Sequence, residues 1–269
     1  MSNGPLQEIV AVLGSPAAGN PAQYLFERAF EAAGLDWRII TCDVAPDRLS
    51  AALAGAEAMG FRGCLVGGPL RRLALSLVAT TSPAARFAGG VGLVECTADG
   101  LAGHVTDGRG VVEALRAHID PAGRHALVVG AGMTGRAIAL ELVLAGAAAV
   151  SVTDPHDDRG QKLADDLAAL ETVPSAWLPW ASTISVPAHV AIIVTATSAT
   201  PSFDGLRPDI VFADVAPAAA PPAPATAAGC CIVDGLEIRA MQAAIEFQTF
   251  TGCEADVELL RESLDEYLS

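Results

Sequence analysis

The chain has 269 residues, a formal net charge of −15, and 52% hydrophobic against 17% charged residues. That balance belongs to a well-buried globular protein, long enough for two modest domains, and excludes a disordered chain. The excess of acid argues against nucleic acid or an anionic membrane surface as a partner, since neither polyanion is attracted to it.

Alternating strand and helix patterns begin at once. A strand is predicted at Glu8 to Gly14, a helix at Pro21 to Ala33, a strand at Trp37 to Val44, a helix at Asp47 to Met59 and a strand at Gly63 to Gly68. A helix at Leu70 to Ala79, a strand at Val91 to Thr97 and a helix at Thr106 to Ile119 follow, and Pro121 and Gly123 mark a linker. This is an α/β layer pattern with a mostly parallel sheet. After the linker come a strand at Ala126 to Val129, a glycine turn and helix, a strand at Ala149 to Thr153, and a helix at Asp157 to Leu170. Three buried strands at Val190 to Thr197, Asp209 to Val215 and Cys230 to Val233 complete a second sheet. The proline-rich APAAAPPAPATAAG between the last two forbids a long crossover helix and reads as an irregular surface segment. Two helices follow from Leu236, the second with Val257, Leu260, Leu264 and Leu268 on one face. The expected division is an α/β domain over residues 1–118, which the C-terminal helices over 239–269 could return to cover, and a second, Rossmann-type α/β domain over 119–238.

The most specific signal is the glycine turn. Gly130, Gly132 and Gly135 follow the apolar strand in G-x-G-x-x-G spacing and open a helix. The first permits the tight turn, the second lets backbone approach a pyrophosphate, and the third allows close packing of helix on strand. The amides of Ala131, Met133 and Thr134 lie beside that helix N-terminus, whose dipole favours phosphate. The next strand delivers Asp154 where a ribose-binding acid belongs, and a carboxylate there repels a 2′-phosphate. NAD is therefore expected over NADP, with Arg159 nearby as the residue that would favour the phosphate. Thr195, Ala196, Thr197 and Gly235, at later strand and helix ends, complete the expected cofactor set.

Every long apolar stretch is broken within about 18 residues by charge or proline, below the length of a spanning helix, and no basic-then-apolar leader opens the chain, so a cytoplasmic protein is expected. The six cysteines show no C-x-x-C spacing and read as reduced core residues, with no metal site expected. An apolar first strand at a sheet edge would suit a homodimer.

The segments GHVTDGRG from Gly103 and GLEIRAMQA from Gly235, with the glycine turn between them, resemble the shikimate and quinate dehydrogenase family in order and spacing over nearly the whole chain. The resemblance implies a small substrate domain, an NAD(P) domain, C-terminal helices that fold back onto the first, and roles for Asp107 and Gln242. The DPHDDR segment from Asp154 looks like the NAD-preferring branch. Departures are concentrated in the substrate motifs. The family's S-x-S-P becomes Ala18-Gly-Asn-Pro21, and its G-x-N-V-T-x-P-x-K becomes Gly63-Cys-Leu-Val-Gly-Gly-Pro-Leu-Arg71. Leu65 replaces an asparagine, Gly67 a threonine and Arg71 the catalytic lysine, while another asparagine falls near Leu93.

Oxidising a secondary alcohol needs a base for the hydroxyl proton and a group that stabilises the developing alkoxide. Arginine stays protonated, so Arg71 is expected to hold an oxyanion or carboxylate and Asp107 to act as base, through water or with His104. The competing readings are structural: Asp107 as a helix N-cap, Arg71 and Arg72 as a solvated helix start, His104 as an ordinary paired histidine, Gln242 as a polar position on an amphipathic helix. Leu65, Gly67 and Leu93 make the substrate pocket more apolar and roomier, which points to a hydride-transferring enzyme acting on shikimate, quinate or a less hydroxylated cyclic acid. The alternative is an impaired homologue that binds NAD and senses a ligand. A different reaction on the same frame, such as reduction of a folate-like or acyl substrate, is a third reading.

Overall fold

The computed structural model describes residues 7–216 and 222–269. The chain forms two compact units, one of residues up to Thr106 with Gln242–Ser269, the other Asp107–Met241.

The first unit opens with β1 (Glu8–Gly14), whose last five residues are all buried, the mark of a strand covered on both faces. It continues through α1 (Ala22–Ala32), β2 (Trp37–Asp43), a 3₁₀ turn, α2 (Leu49–Ala58), β3 (Gly63–Val66) and α3 (Leu70–Ala74). Then come the two-residue β4 (Thr80–Thr81), α4 (Pro83–Ala88), β5 (Leu93–Thr97) and β6 (Gly100–His104). The sheet order is β2-β1-β3-β5-β6-β4, and three of its five pairings are parallel. Because β1 lies between β2 and β3, it is not an edge strand, and the argument for a dimer from its edge fails; β2 and β4 are the edges. The helix expected over 70–79 ends at Ala74, and the strand expected from Val91 begins at Leu93. The bounds of α4 are well defined locally: Ser82 Oγ accepts the amide of Ala85 at 3.1 Å, Pro83 sits in the first turn and Gly89 ends the helix at φ 78°.

The second unit begins with α5 (Asp107–Arg116), then β7 (His125–Val129), α6 (Met133–Leu144), β8 (Ala149–Thr153) and α7 (Asp157–Ala168). β9 (Ser175–Trp177), β10 (Thr183–Ser185), β11 (Val190–Thr195), β12 (Ser202–Asp204), β13 (Val211–Asp214), α8 (Ala223–Ala227) and β14 (Cys231–Val233) follow. Its main sheet runs β14-β13-β11-β7-β8-β9, wholly parallel, the strand order of a dinucleotide-binding fold with its reversal between β7 and β11. β10 and β12 form a separate parallel pair. α5 packs with α6 rather than with the first unit, so the 118/119 boundary expected from sequence lies one helix beyond the unit boundary at Thr106. The cause is local: a Cβ on Gly108 would stand 2.3 Å from the carbonyl oxygen of Ala137, so the two helices touch backbone to backbone.

Of the proline-rich link between β13 and β14, residues 217–221 lie outside the described residues. The rest is not irregular, since its prolines fall in the first turn of α8, where no amide is needed.

α9 (Gly235–Thr251) starts in the second unit and passes into the first, where α10 (Val257–Leu268) also lies. There Phe247 and Phe250 pack against Phe26 and Phe30 of α1 at ring separations of 5.6 to 6.4 Å, an aromatic core that closes the unit. The cysteines correct the sequence reading in part. Cys64 and Cys230 are buried, Cys42 and Cys96 partly so, but Cys231 and Cys253 are exposed.

Candidate functional site

The glycine turn is built by close approach at two positions and openness at the third. Gly130 has φ +115°, and a Cβ there would lie 2.4 Å from the carbonyl oxygen of Ala196. A Cβ on Gly135 would stand 1.8 Å from the oxygen of Gly130, so α6 rests directly on the turn. A Cβ on Gly132 would meet nothing within 4 Å. Gly132 also offers the first turn of α6 no side-chain cap, leaving a helix start with amides and positive dipole end suited to an anion from outside. Those features fit a dinucleotide pyrophosphate.

Asp154, at the end of β8, is 2% exposed. Its Oδ2 accepts the amide of Ala131 at 2.6 Å, and Oδ1 accepts the amide of His156 at 2.8 Å and Arg159 Nη2 at 3.0 Å. Burial pushes its carboxyl up, but the two amides and the guanidinium outweigh that and hold it below the usual carboxylate range. Asp154 therefore braces the glycine turn from below, and Arg159, with its side chain 46% exposed, covers it from the solvent side. Across the turn, Ala196 donates its amide to Val129 at 2.7 Å, Thr195 Oγ1 donates to Asp214 Oδ1 at 2.8 Å, and Thr197 Oγ1 accepts the amide of Ala199. A cavity of about 500 Å³ opens beside Thr195 and Thr197, walled by Phe203, Phe212 and Asp214. Gly235 is the first residue of α9.

Asp107 opens α5, is 8% exposed, and accepts the Thr134 hydroxyl on Oδ1 at 3.0 Å. One of its contacts is thus with the helix that carries the glycine turn.

In the first unit, Leu65 of β3 and Leu93 of β5 are register partners, both buried, and Leu93 has no exposed surface. Gly67 follows β3 with room for a side chain, the nearest neighbours being Leu13 oxygen at 3.6 Å and Asn20 Nδ2 at 3.8 Å from a hypothetical Cβ. Arg71 is half-buried, and its guanidinium lies over Gly92, where a Cβ would come within 2.6 Å of Nη2. It is therefore not the freely solvated helix start that composition would suggest. His104 Nε2 lies 3.5 Å from Glu95 Oε2 but is buried and makes no hydrogen bond among the described residues, so it is not the satisfied histidine of the structural reading.

Gln242 donates from Nε2 to Thr106 Oγ1 at 3.1 Å and to Glu246 Oε1 at 3.0 Å, and Thr106 donates to the same oxygen at 3.0 Å. Thr106 and Glu246 are each 3% exposed. Asn20, Thr106 and Glu246 are polar groups that sequence reasoning did not single out. Thr106 lay in the GHVTDGRG motif beside Asp107 and Asn20 in Ala18-Gly-Asn-Pro21, while Glu246 carried no signal.

Residues 12–94 match the shikimate dehydrogenase substrate binding domain, and residues 113–203 match shikimate/quinate 5-dehydrogenase. The chain belongs to the shikimate and quinate dehydrogenase family. A shikimate dehydrogenase (NADP(+)) of Halobacterium salinarum is 32% identical over 96% of this chain and 98% of its own length. Among solved structures, the ligand-free 5-ketofructose reductase of a Gluconobacter species superposes with a TM-score of 0.92 at 30% identity, covering 98% of this chain and 99% of that one. Quinate dehydrogenase of Corynebacterium glutamicum in complex with NAD gives 0.83 at 25% identity, covering 97% and 99%. As a family member, the chain is an oxidoreductase with a nicotinamide cofactor and a small-molecule substrate. Among the described residues, no helix is long and apolar enough to cross a membrane.

Proposed function

We propose that this family member transfers hydride between a nicotinamide dinucleotide and the carbonyl or secondary alcohol of a small hydroxyketone or hydroxy acid other than shikimate. The observation that carries the reading is Arg71, half-buried over Gly92 where the family places its lysine. The dinucleotide supplies or accepts the hydride. Arg71 holds the substrate oxygen on which negative charge develops and, being permanently protonated, stabilises it without moving a proton. Asp107 takes the hydroxyl proton during oxidation and returns it during reduction, its carboxylate held in place by Thr134. Leu65 and Gly67 bring no hydrogen-bonding side chain, so a ring read through several hydroxyls is not selected. The likeness to 5-ketofructose reductase supports an open-chain or sugar ketone as readily as a cyclic acid.

NAD is the favoured cofactor on the likeness of the DPHDDR segment to the NAD-preferring branch and on an acid, Asp154, following the end of β8; that carboxylate is itself buried and shared by the Ala131 and His156 amides and Arg159. A second reading, NADP, is favoured by the half-exposed Arg159 and by the names of the curated relatives. Arg159→Ala separates them: under the first reading the NAD:NADP ratio of kcat/KM is unchanged or rises from an already NAD-preferring value, and under the second an NADP preference collapses.

The substrate test is cofactor turnover with shikimate, quinate, linear hydroxy acids and, in reverse, keto sugars including 5-ketofructose. The expected result is a shikimate kcat/KM lower than that of the best substrate by on the order of 10²-fold or more, the scale of lost hydrogen-bond recognition. Shikimate as the best substrate overturns the substrate proposal, and silence with every substrate despite cofactor binding supports the ligand-sensing alternative.

A further inference from the structure

The second unit carries a cysteine, a histidine and a carboxylate in series, away from the glycine turn. Cys231 opens β14, the edge strand of the parallel sheet, and its side chain is exposed. Its Sγ lies 3.5 Å from Nδ1 of His118, just beyond α5, and Nε2 of the same ring lies 2.9 Å from Oε1 of Glu237 in the first turn of α9. The ring and carboxylate are partly sheltered, with side-chain exposures of 28% and 20%.

The order of contacts assigns the chemistry. A carboxylate accepts only, so Nε2 carries the hydrogen donated to Glu237, and neutral His118 then presents a bare Nδ1 lone pair to the thiol. That nitrogen can take the thiol proton, and Glu237 stabilises the imidazolium that results, the arrangement by which an adjacent base activates a nucleophile. The other exposed thiol, Cys253, has its Sγ against the backbone oxygen of Thr251 at 3.8 Å, with no histidine bonded to it among the described residues, and is a reference within the same molecule.

We infer that Cys231, His118 and Glu237 form a reactive-thiol site that exchanges with small disulfides to give a protein mixed disulfide. The Cys231 proton passes to Nδ1, the thiolate attacks one sulfur of the disulfide, the new S–S bond forms as the old one breaks, and the departing thiolate takes the proton back from the imidazolium. One disulfide is consumed, one thiol is released, and no other oxidant is required.

The test is reaction of the full-length protein with neutral 4,4′-dithiodipyridine at pH 7, followed by release of thiopyridone and by mass-spectrometric mapping of the adducts. Cys231 is expected to react roughly tenfold faster than Cys253, because a proton acceptor stands beside its thiol. His118→Asn should bring Cys231 down to the Cys253 rate, and Glu237→Gln should fall between, with Cys253 unmoved in both. Cys64 and Cys230 are buried, so their continued silence certifies that each variant is folded. Equal rates at Cys231 and Cys253 in the wild type, or an undiminished Cys231 rate in folded His118→Asn, overturns the proposal. Should His118→Asn expose the buried thiols, the wild-type comparison alone decides.

Discussion

The Thr134 hydroxyl donates to Asp107 Oδ1 at 3.0 Å, tying the first residue of α5 to the first turn of α6. The helix carrying the proposed base is thereby anchored to the helix that carries the glycine turn.

Asp107→Asn keeps shape and burial but removes the proton acceptor. It should lower kcat by roughly 10²- to 10⁴-fold, the usual contribution of a positioned acid or base. Cofactor affinity, read by fluorescence titration of the reduced dinucleotide, should be retained. An unchanged kcat would remove Asp107 from the chemistry.

The glycines of the turn separate fold from ligand. Gly135→Ala forces a Cβ into the backbone oxygen of Gly130, with overpacking expected to cost about 1–3 kcal/mol in chemical denaturation. Gly132→Ala meets open space, so its stability should stay within about 0.5 kcal/mol of the parent. Its added methyl nevertheless occupies the phosphate path, and cofactor Kd should rise.

Acid stability should register Asp154. Its folded carboxyl is held below the ordinary range, so its contribution is fully present above the unfolded value, near pH 4, and is lost as pH falls through the folded value. Asp154→Ala also strands the buried Ala131 amide, at about 1–3 kcal/mol. Urea denaturation should therefore show a stability gap between parent and variant that is constant at neutral pH and narrows below about pH 4.

Glu246 should be a structural acceptor before it is a charge. Glu246→Gln preserves an oxygen for Thr106 and Gln242 and should change stability by less than about 1 kcal/mol, whereas Glu246→Ala removes a buried acceptor for both donors and should cost about 1–3 kcal/mol. Equal losses from the two variants in guanidinium melts would show that its charge matters more than its oxygen.

The central elements were legible because sequence and burial coincide there: β7 is an uninterrupted apolar run, the glycine spacing follows it, and Asp154 closes β8. β6 escaped notice because GLAGH holds two glycines and little β-branched side chain, and β4 is two residues long. The helix predicted after Leu70 was too long because nothing in LRRLALSL signals a stop at Ala74. Glu246 was invisible for another reason. A carboxylate on a helix ordinarily faces water, and its partner Thr106 lies 140 residues away in the chain. Cys231 read as core from its apolar neighbours, but in an edge strand adjacent residues face opposite ways, and Cys230 takes the inner place.

The aromatic core of the first unit has a consequence for synthesis. Phe26 and Phe30 emerge from the ribosome early, while Phe247 and Phe250, which cover them, emerge only after the whole parallel sheet of the second unit. The usual N-terminal-first order of folding is thus inverted. The nucleotide-binding unit can close while the nascent N-terminal layer still displays its phenylalanines, an apolar surface that stays uncovered until the last helices are made.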